Sequence, residues 1–210
     1  MKKFLLISIF LINLVGFSQK EYYEIRQYEL PFNSPENILH EYFSKVLIPA
    51  LNRHGVKNIG VFETLGDPIP KLVYLFIPYD DVYHYGNILK ELSRDKVYLN
   101  SRKFYDSVPQ SNKVYNRYNV SFLTAIDGLP KLIKPKRKSN VFELRIYEGY
   151  SEDAVKRKIE MFNNEELKIF DDTGLYSVFF GEQISGSLMP SLTYMLAFES
   201  MEERNDNWKK

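Results

Sequence analysis

Val141-Phe142-Glu143-Leu144-Arg145-Ile146-Tyr147-Glu148 has a close counterpart earlier in the chain, and that repeat points to the fold. Its counterpart is Tyr22-Tyr23-Glu24-Ile25-Arg26-Gln27-Tyr28-Glu29. Both read Glu-[Ile/Leu]-Arg-x-Tyr-Glu, at a separation of 119 residues. The same separation carries Gly55 onto Gly174 and Glu63 onto Glu182. After one inserted residue it becomes 120 and carries Pro70 onto Pro190 and Tyr74 onto Tyr194. The chain therefore reads as two copies of one unit.

Each copy alternates with period two, the pattern of a strand with two unlike faces. Phe142, Leu144 and Ile146 share one face, and the expectation is that it packs on helices. Glu143, Arg145 and Tyr147 share the other, as Glu24, Arg26 and Tyr28 do in the first copy. A carboxylate, a guanidinium and a phenol in a row form either a cross-strand ion pair with a packed ring or the wall of a polar cavity.

The 210 residues suffice for one or two small domains, and 44% hydrophobic with 26% charged residues fits a globular core. A net charge of +1 points neither to nucleic acid nor to an anionic membrane. The 16 Tyr and 15 Phe fill strand faces or line a ligand cavity. The absence of cysteine excludes disulfides, thiolate metal sites and a cysteine nucleophile. Residues 1–18 have the form of a secretory signal: Lys2 and Lys3, an apolar run from Phe4 to Val15, then Gly16-Phe17-Ser18 before cleavage at Gln19. The mature chain is expected to be exported, periplasmic or extracellular, and no membrane span is expected in it.

The order of elements is legible from there. Glu21–Leu30 is the first strand. Ser34 is the expected N-cap of a helix opened by Pro35 and bent at Pro49. Strands follow at 58–66 and 71–78, a broken helical region starts at Asp80 or Asp81, and a fourth strand covers 113–126. That is βαββαβ, the ferredoxin-like order. Residues 127–139 form a linker whose Pro130 and Pro135 oppose regular structure. Its Lys131, Lys134, Lys136, Arg137 and Lys138 make a solvated basic surface or an anion patch. The second unit spans 140–210 and repeats the order: a strand at 141–148, a helix capped by Ser151, strands at 176–183 and 192–198, and a helix opened by the capping box Ser200-Met201-Glu202-Glu203. Lys210 corresponds to Lys90, so the second unit is expected to lack most of its last helix and its fourth strand, as in a fragment of a longer protein.

Glu-Leu-Arg-Ile-Tyr, Asp-Thr-Gly before Phe-Phe-Gly-Glu, Leu-Thr-Tyr-Met-Leu-Ala-Phe-Glu-Ser and Met-Glu-Glu-Arg…Trp-Lys-Lys occur in that order. With Glu-Ile-Arg-Gln-Tyr and Ile-Gly-Val-Phe-Glu in the first copy, they resemble the NIPSNAP domain. The resemblance implies a dimeric α/β barrel, two ferredoxin-like sheets closed face to face with helices outside. The two copies would build it within one chain, or each would pair with a second chain. The wider superfamily includes cofactor-free monooxygenases and haem-degrading enzymes, but the family itself brings no catalytic motif and no cofactor to carry over.

In a closed barrel the polar strand face would lie inside. Glu24, Arg26, Tyr28, Glu143, Arg145 and Tyr147 are then the barrel-facing ligand candidates, joined by Glu63 and Glu182; an arginine there would fork a carboxylate or phosphate. His40 and His54 lie about 21 Å apart along one helix and cannot share a metal, and the second unit has no histidine. No metal site is expected, nor a phosphate-cradling loop, serine elbow or zinc pair. The leading expectation is a barrel that binds a small apolar or aromatic molecule, or associates with itself. The alternatives are a cofactor-free monooxygenase-like or isomerase-like enzyme and a purely structural interaction module.

Overall fold

The computed structural model describes residues 19–210; the expected signal segment, residues 1–18, lies outside the described residues. Strand β1 (Tyr22–Leu30) leads into α1 (Glu36–Tyr42), which runs through a π-helical turn, Phe43–Leu47, into α2 (Ile48–Arg53). The hairpin of β2 (Gly60–Glu63) and β3 (Lys71–Tyr79) follows. Helices α3 (Val82–Leu92), α4 (Lys96–Ser101) and α5 (Lys103–Asp106) then lead to β4 (Arg117–Ala125). The second half runs β5 (Val141–Glu148), α6 (Glu152–Met161), a π-helical turn at Phe162–Glu166, α7 (Leu167–Thr173), β6 (Tyr176–Ser185), β7 (Ser191–Phe198) and α8 (Met201–Asn207).

Among the described residues, seven strands form one curled antiparallel sheet in the order β2-β3-β1-β4-β6-β7-β5. Within each half the first strand pairs with the third, β1 with β3 and β5 with β7, as the ferredoxin-like order requires. The halves are joined by β4 and β6, with Leu123 opposite Gln183 and Ala125 opposite Gly181. The two halves thus share one curled sheet, open between β2 and β5. Gly181 is suited to this junction: a Cβ there would lie 2.9 Å from Leu123 Cβ.

Three cores follow from this layout. One lies between the first-half strands and their helices, built on Leu39, Phe43, Leu47, Leu51, Val73, Leu75 and Ile77. Its second-half counterpart holds Phe162, Phe170, Phe180, Tyr194 and Leu196. The third is the inside of the curl, where Tyr23, Ile25 and Phe76 meet Leu123, Phe179 and Met195 from across the β4–β6 junction. Every residue of β7 is buried, because a central strand is covered on both faces.

Local signals largely hold. Asp81, Ser151 and Ser200 cap their helices by accepting from His84 N, Ala154 N and Glu203 N. Gly174 ends α7 at φ +78°. Ser34 differs from expectation. It does not cap α1; its hydroxyl donates to the Val114 carbonyl at 2.6 Å and ties the α1 entry to the approach of β4. The bend expected at Pro49 is the π-helical turn just before it. Proline has no N–H to give to the preceding turn, and a π turn accommodates that. The second half makes the same turn without a proline. What both share is a buried phenylalanine at its start, Phe43 and Phe162.

The linker is irregular, as read, but it does more than cross solvent. Leu132 N donates to Glu21 Oε2, and Ile133 N donates to the Val178 carbonyl. These bonds draw Leu132 against the inner core and close one end of the curl.

Candidate functional site

The six barrel-facing candidates lie on the helix side of their strands, and of them Glu143 alone also borders a cavity of the concave side. Glu24, Arg26 and Tyr28 lie on the helix side of β1. The Glu24 carboxylate accepts from Arg26 Nε at 2.6 Å and from the Tyr79 hydroxyl at 2.8 Å. Tyr28 packs edge-on to Phe43 of the α1–α2 helix. Glu143, Arg145 and Tyr147 lie likewise on the helix side of β5. Glu143 accepts from Arg145, Arg204 and the Trp208 indole N–H, and the Arg145 guanidinium sits 4.0 Å above the Trp208 ring. Tyr147 stacks on Tyr194 with Lys158 over its ring. The physical reason is partner supply. A guanidinium taken out of water must keep a carboxylate and hydrogen-bond partners, and the helix layer offers both while the concave side offers few.

The electrostatics agree. Burial acts to raise the Glu143 carboxyl, but hydrogen bonds from Arg204, Trp208 and Arg145 outweigh it and hold the group down at about 2. Burial would lower Arg26, yet the Glu24 charge overrides it and raises its pKa, so the guanidinium stays charged. Burial pushes the Tyr28 phenol up to about 12. Glu143 and Arg26 are fixed charges, and the Tyr28 phenol stays protonated.

The concave side carries the opposite faces. Ile25 and Gln27 of β1, Phe62 of β2, Tyr74 and Phe76 of β3, and Phe142, Leu144 and Ile146 of β5 line it. The apolar face of the opening stretch therefore points inward, against expectation. One end is filled by Tyr23, Phe76 and Phe179, whose ring centroids lie 4.7 to 5.3 Å apart. Beside β5 the interior stays open. A cavity of about 500 Å³ runs from Asn58 and Gly60 past Phe62 to Val141, Phe142 and Met195. A second, of about 370 Å³, shares Phe62, Phe142 and Met195 and continues along Glu143, Leu144 and Ile146. A third, of about 200 Å³, is reached through Ile25, Tyr74, Leu144 and Ile146, and adds Gln27, Asn119, Ser121 and Thr193. The result is a continuous trough, apolar along most of its length and polar but uncharged at its inner end.

Glu63, Glu143 and the exposed Lys134 are the charged residues in the lining of the trough. Glu63 is already engaged by His40 at 3.0 Å and by Lys71 at 2.7 Å. Glu182 is exposed and lines none of these cavities. Tyr74 also stands on the wall, and burial raises its pKa, so it meets a ligand as a hydrogen-bond donor rather than as a base. The histidines stand outside the trough. His54 contacts Asp95 at 3.2 Å, and His84 Nε2 donates to the His54 carbonyl at 3.0 Å.

Among the described residues, Glu36, His40 and Glu63 bring ligand atoms within 4.8 Å of one another, a grouping the sequence reading did not single out. The Lys71 ammonium lies 2.6 Å from Glu36 and 2.7 Å from Glu63, so a cationic side chain already serves the two carboxylates. Among the described residues no helix is long and apolar enough to cross a membrane.

No family model matches the chain, and no curated protein matches it. Solved structures do. A "Putative monooxygenase" from Fusobacterium nucleatum superposes with a TM-score of 0.58 at 9% identity, over 91% of this chain and 81% of that one. A "putative monooxygenase" from Lactobacillus acidophilus superposes at 0.53 with 10% identity, over 91% of this chain and 82% of that one. At such identities the likeness carries the fold alone: an α+β barrel of ferredoxin-like units.

Proposed function

We propose that the protein is a binding barrel whose inner trough takes a small, neutral, largely aromatic or apolar molecule. One observation carries the reading: an open trough, about 500 Å³ in its largest part, lined mainly by apolar side chains on the concave face, with Glu63 and the exposed Lys134 as the charged residues of that part. That volume falls in the range of small-molecule sites. Phe62, Phe142 and Leu144 supply apolar contact, and Tyr74, Gln27 and Thr193 offer hydrogen bonds to a polar end. The arginines the sequence offered for an anionic ligand are committed to Glu24 and Glu143.

The monooxygenase naming of both structural neighbours favours a second reading, cofactor-free oxidation of the molecule held in the trough. In it the Tyr74 phenol would orient the substrate. A bound molecule recovered with added oxygen distinguishes it from simple binding. We also propose export, which rests on Lys2, Lys3 and the Phe4–Val15 run, and kinship with NIPSNAP domains, which rests on the repeated Glu-[Ile/Leu]-Arg-x-Tyr strand.

Titration with N-phenyl-1-naphthylamine, a neutral aromatic fluorophore, tests the binding reading. Saturable enhancement at one probe per chain is expected. A linear, unsaturable response overturns it.

A further inference from the structure

The two edges of the sheet face each other. β2 and β5 each pair on one side only, and among the described residues no backbone hydrogen bond joins them. Their side chains nonetheless meet beneath the seam, with the Phe62 and Phe142 rings 4.8 Å apart. The cavity of about 500 Å³ lies there, bounded by residues 58–63 on one side and by Asn140, Val141 and Phe142 on the other.

The molecule contains the same seam in filled form. By the offset of 119 residues, β5 corresponds to β1 and β2 corresponds to 179–182 of β6. Between β1 and β6 lies β4, antiparallel to both. Its Thr124 stands opposite Tyr22 on one side and Glu182 on the other. Beneath it the inner groups of the flanking strands still meet: a Cβ on Gly181 would lie 3.4 Å from the Tyr23 ring. Gly181 and Tyr23 are the counterparts of Phe62 and Phe142. Ring contact under the open seam is therefore what a seam with one strand's place above it shows. Two unpaired edges flanking an apolar slot are also a liability unless something pairs with them.

We propose that the β2–β5 seam is a strand-acceptor site, and that its occupant is an extended peptide segment with the alternation of β4, antiparallel to both edges. The register follows from the repeat. The occupant's counterpart of Thr124 stands opposite Val141 and Glu63, and its counterpart of Phe122 stands opposite Glu143. Residues like Ser121, Leu123 and Ala125 point into the trough and roof it. Residues like Phe122 point to the helix side, as Phe122 itself does when it stacks 4.0 Å from Tyr85. Main-chain hydrogen bonds to two edges give the affinity, and the alternation gives the selectivity.

The test is amide hydrogen exchange, read by mass spectrometry, on the protein with an excess of the free peptide Arg-Tyr-Asn-Val-Ser-Phe-Leu-Thr-Ala, the sequence of β4. The expected result is at least tenfold slower exchange in both 62–66 and 141–148, with no change from a peptide of the same residues in scrambled order. No slowing, slowing at one edge only, or equal slowing by the scrambled peptide overturns the proposal. So does protection that rises with protein concentration in the absence of peptide, which would give the seam to a second copy of the chain.

Discussion

Glu143 gathers three donors from two elements: Arg145 on its own strand and Arg204 and Trp208 at the far end of the chain. Replacing it by Gln removes the charge that two guanidiniums share. The expected loss is about 2–4 kcal/mol in urea denaturation at pH 7. The pH dependence has a definite sign. The folded carboxyl is held down at about 2 against an ordinary 4.5, so the unfolded chain takes the proton first as pH falls. The contribution is complete above pH 4.5 and is lost as pH falls through that window towards 2. The Glu143→Gln variant should show a correspondingly flatter stability profile there; an unchanged profile would remove Glu143 from the acid response. At this scale the sequence showed which residues form a unit but not where they point. Period-two alternation says that the faces of β5 differ. It does not say which face meets the helices when both are covered. The deciding partners, Arg204 and Trp208, lie some 60 residues away in sequence, where no local pattern could announce them.

At the scale of elements, caps and glycines carry the chain through its turns. Gly174 ends α7 at φ +78°, and its carbonyl accepts from Asn207 Nδ2 at 3.0 Å, which pins α8 beside it. A Cβ at this position would lie 3.2 Å from that same Nδ2. Gly174→Ala should therefore cost about 1–2 kcal/mol by thermal or urea unfolding, from the left-handed backbone and the displaced amide together. A neutral result would mean that α8 is not held by this contact. Most elements were legible, because caps such as Asp81 and Ser151, and breakers such as Gly66 and Pro190, act within a few residues. Ser34 was not. Its bond to the Val114 carbonyl spans 80 residues and competes with a cap that local sequence favoured. The trough was illegible for a related reason. It exists because Phe62, Leu144 and Met195 come from three strands whose adjacency only the sheet order reveals.

The whole molecule is one sheet curled so that neither half owns the inner core. Tyr23, Ile25 and Phe76 come from the first half, and Val178, Phe179 and Met195 from the second. Either half alone would expose that surface, so the halves should unfold together. Trp208 is the sole tryptophan and lies in the second half, packed on Phe170 and Arg145. Its fluorescence and the far-UV dichroism of the whole chain should share one urea midpoint; two separated transitions would show that the halves are independent. On the proposed function, the concave trough inside the curl binds the ligand and the repeated Glu-Arg-Tyr face does not. The most direct measurement is the affinity for N-phenyl-1-naphthylamine of two variants, each checked for native dichroism. Leu144→Trp fills the trough, where Leu144 lines two of its three parts. Arg145→Met breaks the helix-side network and leaves the trough wall intact. The account predicts that Leu144→Trp weakens the probe at least tenfold, about 1.4 kcal/mol, while Arg145→Met lowers stability and leaves the affinity unchanged. The opposite pattern, with affinity lost at Arg145 and kept at Leu144, would contradict it.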